Sequence, residues 1–170
     1  MKRYATIELT KEYLKFSAAH FTLFSATVRE RLHGHNFAVS ASFRAPIGEH
    51  GLCFDYSSFK KKLAVICNSL DEYLLLPGRS PYLQIRQSGS FYLVKFNNEE
   101  EMPFLVADTL ILPLLNISVE ELADYILGQL LADDEIKQAE IDLIEVSVSS
   151  GPGQWGTRSW SAGAGAVQSE

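Results

Sequence analysis

From His33 to Ala45 the chain alternates with a period of two. His33, His35, Phe37, Val39, Ala41 and Phe43 share one face of a β-strand, and Gly34, Asn36, Ala38, Ser40 and Ser42 share the other. Two imidazoles at i and i+2 therefore point the same way. Upstream, Phe16, Ala18 and His20 also share a parity, so pairing of the two segments as neighbours brings all three rings together. Three neutral nitrogen ligands with no fourth protein ligand describe an open zinc site, whose remaining position takes water or substrate. A histidine by itself is as readily a hydrogen-bonded core residue, and for His20 alone that reading is preferred. For His33 and His35 together both readings remain open.

Composition narrows the function classes. With 170 residues, 46% of them hydrophobic, the chain is sized for one domain with a proper core. A net charge of -6 and a single basic run, Lys60-Lys61-Lys62, argue against nucleic acid, because phosphate neutralisation needs a basic surface. That run reads as a solvated helix face. No apolar stretch approaches the ~20 residues that span a bilayer, and no apolar leader follows Met1, so a cytoplasmic protein with no membrane partner is expected. Cys53 and Cys67 lack CxxC spacing and sit among apolar neighbours, which predicts reduced, packed thiols rather than nucleophiles.

Taken in order, residues 4 to 21 predict a long first strand, or one with a bulge, ending at His20. The loop 22 to 32 has a predicted ligand at each end, so any side chain it offers is a catalytic candidate. After the strand to about Ala45, Pro46 to Gly51 predicts a turn in which His50 is only a turn residue. Asp55 is a candidate N-cap, and Phe59, Leu63, Ile66, Cys67 and Leu70 predict a helix over 56–70. Pro77-Gly78 breaks the chain before two short segments, Tyr82 to Arg86 and Phe91 to Phe96, which predict a surface hairpin turning at Ser88-Gly89. A polar loop from Asn97 to Met102 leads to a strand at Thr109–Leu112. Ser118 with Glu121 forms a capping box that predicts a helix over 119–133. Strands at Ile141–Ser149 and Trp155–Trp160 follow, with a frayed tail from Ser161.

The order β-β-α-(hairpin)-α-β, together with His20, the His33-Gly34-His35-Asn36 run, Phe54-Asp55-Tyr56 opening the first helix and Leu70-Asp71 closing it, resembles the family of 6-pyruvoyl-tetrahydropterin synthase and 6-carboxytetrahydropterin synthase. The resemblance covers about Ile7 to Gln154. It implies an α+β tunnelling fold: a four-stranded antiparallel sheet with two helices on one face plus an inserted hairpin, closed into barrels between subunits of a homo-oligomer, by resemblance a hexamer. It implies Zn2+ on His20, His33 and His35 and a small-molecule pterin substrate. The family's catalytic cysteine precedes the HGH motif, and here Glu30 stands in that loop. This resembles a branch with glutamate in that role, which cleaves the side chain of 7,8-dihydroneopterin triphosphate to 6-hydroxymethyl-7,8-dihydropterin for folate synthesis. Leu74-Leu75-Leu76-Pro77 and the helix start Asn116 to Glu121 resemble that branch too.

Two positions depart from the family pattern. Its Asp-His pair reads Asp71-Glu72 here, and its pterin-anchoring glutamate falls on Ser150. The implied catalytic residues are then Glu30, Asp71 and Glu72, and the implied substrate-binding residues are Ser118 and Ser150. Glu30 is the expected acid or base beside zinc. Asp71 and Glu72, if both reach the site, could raise one another's pKa and supply an acid; a solvated acidic helix end is the other reading of Glu72. The alternatives are a 6-carboxytetrahydropterin synthase of queuosine biosynthesis, and a catalytically silent zinc- or pterin-binding paralogue.

Overall fold

The computed structural model describes residues 2–163. In chain order its elements are β1 (Tyr4–Leu9), β2 (Lys15–His20), β3 (His33–Pro46), α1 (Tyr56–Leu70), β4 (Tyr73–Pro77), β5 (Leu83–Ser88), β6 (Phe91–Phe96), β7 (Met102–Leu105), β8 (Thr109–Leu112), α2 (Val119–Ala132), α3 (Asp134–Gln138), β9 (Leu143–Gly151) and β10 (Gln154–Ser161). A 3-10 turn at Val106–Asp108 leads into β8.

The long alternating strand β3 is the axis of this α+β fold. On one side it pairs antiparallel with β9, from Ala38↔Ser149 to Arg44↔Leu143. On the other it pairs with β2, from His20↔His33 to Lys15↔Ala38, and then with β1, from Leu9↔Ala41 to Tyr4↔Pro46. β1 and β2 thus form the one interrupted strand that alternation predicted. The interruption is a turn in which Leu14 N–H donates to Lys11 O, while Leu14 O accepts from Val39 N–H.

The sheet is larger than the four antiparallel strands expected. Seven strands run β10-β9-β3-β2-β4-β8 with β1 also on β3, and β4 joins β2 in parallel, as β8 joins β4. The reason lies in composition. Leu74, Leu75, Leu76 and Pro77 are all buried, and a strand covered on both faces shows an unbroken apolar run instead of alternation. Such a run carries no strand-specific period.

Both long helices cover the face of β3 that carries Phe37, Val39, Ala41 and Phe43. α1 starts where Asp55 accepts from Ser57 N–H at 2.9 Å, and it buries Phe59, Leu63, Cys67 and Leu70. α2 starts where Ser118 Oγ accepts from Glu121 N–H at 3.4 Å, and it buries Leu122, Ala123, Ile126, Leu127 and Leu130. The capping box is only half made, since the Glu121 carboxylate accepts from Leu115 N–H at 3.0 Å. Phe16 stacks on Phe37 at 5.0 Å between centroids, and Phe43 meets Phe59 edge-on at 5.1 Å. Each such ring contributes about 1.5–3 kcal/mol through burial. Asp133 ends α2 and caps α3, an unpredicted helix, and Lys62 Nζ binds Asp133 at 2.7 Å and Glu135 at 3.2 Å. The lysine run is therefore not all solvated, because Lys62 ties α1 to α3.

The inserted hairpin turns as predicted but is not a loose surface feature. β7 adds a third strand that was not expected, beginning at Met102 where the predicted polar loop ends, and Val94 and Phe96 pack with Phe21, Leu23, Leu74 and Leu76 into a second buried cluster. Of the tail, Ser161 closes β10 and residues 164–170 lie outside the described residues. Among the described residues no helix is long and apolar enough to cross a membrane.

Candidate functional site

The end of β3 that the helices leave uncovered carries the histidines. Because His20 is the direct register partner of His33, and His35 lies two residues further on the same face, the three rings meet: centroids are 4.7 Å apart for His20–His33, 5.3 Å for His20–His35 and 4.8 Å for His33–His35. Hydrogen bonds at the far side of two rings decide which nitrogen faces inward. His20 Nδ1 donates to Ile117 O at 2.9 Å and His33 Nδ1 donates to Arg31 O at 2.7 Å, leaving both Nε2 atoms as lone pairs.

Those lone pairs fit a metal ion. His20 Nε2 is buried without a hydrogen-bond partner, and His33 Nε2 stands 3.0 Å from His35 Nε2. One ligand atom from each histidine lies within 4.8 Å of the others. Tetrahedral zinc with bonds of about 2.0–2.1 Å places its nitrogens roughly 3.4 Å apart. Burial holds the His20 pKa below its ordinary value, against the Ile117 hydrogen bond that raises it, with His33 and His35 lowering it further. A neutral imidazole is the form that binds metal.

Glu30 stands beside this cluster. Its N–H donates to Thr22 O at 2.9 Å, its Oε2 accepts from Thr22 N–H at 3.1 Å, and that oxygen lies 3.9 Å from His33 Nε2. Burial would raise its pKa, but the hydrogen bonds from Thr22 and the electrostatic influence of the neighbouring His33 and His20 outweigh it and hold the carboxyl below the ordinary value. It is an ionised group placed to accept a proton.

A cavity of about 570 Å³ opens at the cluster, lined by His20, Thr22, Glu30, His35, Asn116, Ser118, Glu120 and Ser150, among others. Ser118 and Ser150, the implied substrate-binding residues, both line it. Glu120, which the sequence reading passed over, supplies a carboxylate on the same wall. The available signal was its place in the first turn of a helix whose N-cap had already been singled out. Gly156 sets that helix end against β10: a Cβ there would lie 2.9 Å from Glu120 N and from Val119 C. Asn116 braces the wall, with Nδ2 donating to Leu23 O at 2.8 Å and Oδ1 accepting from Leu23 N–H at 3.1 Å.

Asp71 and Glu72 are placed differently. Asp71 ends α1, and its Oδ1 accepts from Ser17 N–H at 2.6 Å. Glu72, at a left-handed φ of 64°, donates its N–H to Ser17 O at 2.7 Å. It lines a second cavity of about 510 Å³ with Ser17 and Asn36, residues of the opposite strand parity, and with Asp108 of the 3-10 turn, and His35 borders both cavities. Neither carboxylate joins Glu30 in the cavity of the triad within one chain. The thiols are also apart from it. Cys53 donates to Ala45 O at 3.5 Å, and burial pushes the Cys67 thiol up to about 12.

Comparison with known proteins places the chain in a family. A Methanocaldococcus jannaschii protein, a candidate 6-carboxy-5,6,7,8-tetrahydropterin synthase, is 30% identical over 146 residues, which cover 83% of this chain and 86% of the relative. Among solved structures, the 6-pyruvoyl tetrahydropterin synthase of Plasmodium vivax superimposes with a TM-score of 0.88 at 31% identity, covering 94% of this chain and 99% of the other. That of Plasmodium falciparum does so with 0.88 at 32%, covering 93% and 98%. Two variants of the Plasmodium vivax protein, in which a glutamate named as a catalytic residue is replaced by alanine or cysteine, match as closely. The family model of 6-pyruvoyl tetrahydropterin synthase matches residues 8–159, and the chain belongs to that family of pterin lyases.

Proposed function

We propose that this protein is a zinc-dependent lyase that cleaves the side chain of 7,8-dihydroneopterin triphosphate and releases 6-hydroxymethyl-7,8-dihydropterin for folate synthesis. The observation that carries the reading is Glu30, an ionised carboxylate 3.9 Å from a nitrogen of the triad, in a chain whose thiols lie elsewhere. The catalytic glutamate of the Plasmodium vivax relative supports it.

His20, His33 and His35 would hold zinc, which when bound polarises the vicinal hydroxyls of the substrate side chain. Glu30 Oε2 would take the proton of the hydroxyl on the second side-chain carbon, so that the bond between the first and second carbons breaks and the outer fragment leaves as an aldehyde, and would return that proton to the first carbon, left on the pterin. Glu120 is the carboxylate able to accept two hydrogen bonds from the amino-pyrimidinone edge, the anchoring that a serine at position 150 cannot supply. Ser118 and Ser150 would complete that wall. Asp71 and Glu72 would reach this cavity only from a second copy of the chain, in the homo-oligomer, by resemblance a hexamer, that closes the sheet edges.

The Methanocaldococcus jannaschii relative favours a second reading, synthesis of 6-carboxytetrahydropterin in the queuosine pathway. Incubation of the zinc-loaded protein with 7,8-dihydroneopterin triphosphate, followed by chromatography and mass spectrometry, separates the two. 6-Hydroxymethyl-7,8-dihydropterin is the expected product. A 6-carboxylated product would transfer the assignment to the second reading, and unchanged substrate would remove both.

A further inference from the structure

The inserted sheet β5-β6-β7 reaches the candidate site through one side chain. Arg29, adjacent to Glu30 in the loop between the histidine-bearing strands, is only 18% exposed although charged. Its guanidinium lies 5.3 Å from the centre of the Phe21 ring and 5.7 Å from that of Phe96, so it is held between the end of β2 and the last residue of β6. Its Nε donates to Glu99 Oε2 at 3.2 Å, just beyond β6. Its Nη1 donates to Glu30 O at 2.9 Å, and a β-bridge joins Leu23 to Arg29 across the loop. Phe21 and Phe96 belong to the buried cluster that docks the inserted sheet on β4.

Each contact constrains the arginine from a different direction. The two rings flank the guanidinium, the carboxylate holds one edge of it, and an Nη1 N–H is spent on the carbonyl of the residue whose side chain faces His33. A loop that links two ligands but has no regular period gains its fixed shape from such a clamp. We infer that Arg29 is a positioning residue for Glu30, and that the inserted sheet serves as its buttress through Phe96 and Glu99. The inference rests on the reading of Glu30 as the acid/base group.

The experiment uses the full-length zinc-loaded protein and 7,8-dihydroneopterin triphosphate, with zinc stoichiometry and melting temperature measured for every variant. Arg29→Met keeps an unbranched apolar stem but removes the guanidinium, and with it the contacts to the two rings, the ion pair and the donor to Glu30 O. It is expected to lower kcat roughly tenfold to a hundredfold, the scale of a misplaced catalytic group, with KM within about twofold of the parent and one zinc retained. Arg29→Lys restores a cation between the rings and is expected to recover part of the loss, whereas a merely structural side chain would change melting temperature and leave kcat alone. In a Glu30→Gln background, Arg29→Met is expected to add no further loss, because a positioning residue has nothing left to position. Glu99→Gln, at an exposed site that tolerates substitution, is expected to reproduce a smaller fall in kcat should the methionine variant fail to fold.

Parental kcat in both Arg29→Met and Glu99→Gln would overturn the inference, as would an equal loss in the presence and absence of Glu30, or a loss tracking zinc content. The single variant Glu30→Gln separates the two levels. If it is inactive while Arg29→Met is parental, only the positioning role falls; if Glu30→Gln turns over like the parent, the acid/base reading falls and takes the positioning role with it.

Discussion

The two ends of β3 follow the same alternation on the same face yet do opposite things. Toward its C-terminal end, Phe37, Val39, Ala41 and Phe43 are buried beneath α1 and α2. At its start, His33 and His35 are only partly covered, and His35 lines the cavity where α2 begins. The strand geometry is one; the cover differs. Where helices exclude water the inward positions must be apolar, and where the cover stops the same parity can present nitrogen lone pairs in fixed geometry, supported by the rigid strand behind them.

Substitutions at the two ends should separate fold from chemistry. His33→Ala is expected to abolish stoichiometric zinc binding while the far-UV circular dichroism of the protein stays native, and metal analysis showing full occupancy would end the triad assignment. Glu30→Gln, in the loop leading to that end, should retain zinc and fold but lose turnover by roughly 10²- to 10⁴-fold, as removal of an acid/base group does. At the other end, Phe43→Ala is expected to cost about 3–5 kcal/mol in denaturant unfolding and to leave the zinc content of the folded fraction unchanged. Loss of zinc in step with stability there would mean that the two ends are not independent.

Smaller effects sharpen the same contrast. Gly156→Ala forces a Cβ against the backbone at Val119 and Glu120, so the start of α2 must shift. A destabilisation of about 1–3 kcal/mol accompanied by a raised KM is expected, whereas unchanged KM would remove the helix start from the binding wall. The smallest effect concerns pH. His20 has a depressed pKa when folded, so in the metal-free protein the unfolded state binds the extra proton first. Its contribution to stability is complete above the unfolded value of about 6.5 and declines as pH falls below it toward the folded value. Calorimetry of His20→Phe should show a flatter acid limb than the parent, and an equally steep limb would assign that sensitivity to other groups.

Several features of this molecule could be read from residues because they depend on local period or short-range chemistry. The parity of Phe16, Ala18 and His20 against His33, His35 and Phe37 put each set on one face, so that three imidazoles meet once β2 and β3 pair, as they do with His20 opposite His33. Asp55 and Ser118 announced their helices because a cap acts within one turn. The carboxylates were harder. Glu30 is linked to the cluster by three residues of chain, so its proximity was legible; Asp71 and Glu72 are distant in sequence, and their alignment to a family pair said nothing of which side of β2 they would occupy.

What the sequence by itself determined, then, is the alternation of β3, the convergence of the histidines, the two capped helices and the loop that carries Glu30. The tertiary structure alone decided that Leu74 to Leu76 enter the sheet in parallel, that a third strand and a buried cluster turn the hairpin into a packed unit, that Glu120 joins the cavity wall, and that Glu72 faces a different cavity from Glu30. The physical reason is the range of the forces involved. Caps and strand period are set within a few residues, whereas the choice of partner strand, and of the face a distant side chain meets, depends on which arrangement buries the apolar surface of the whole chain at once.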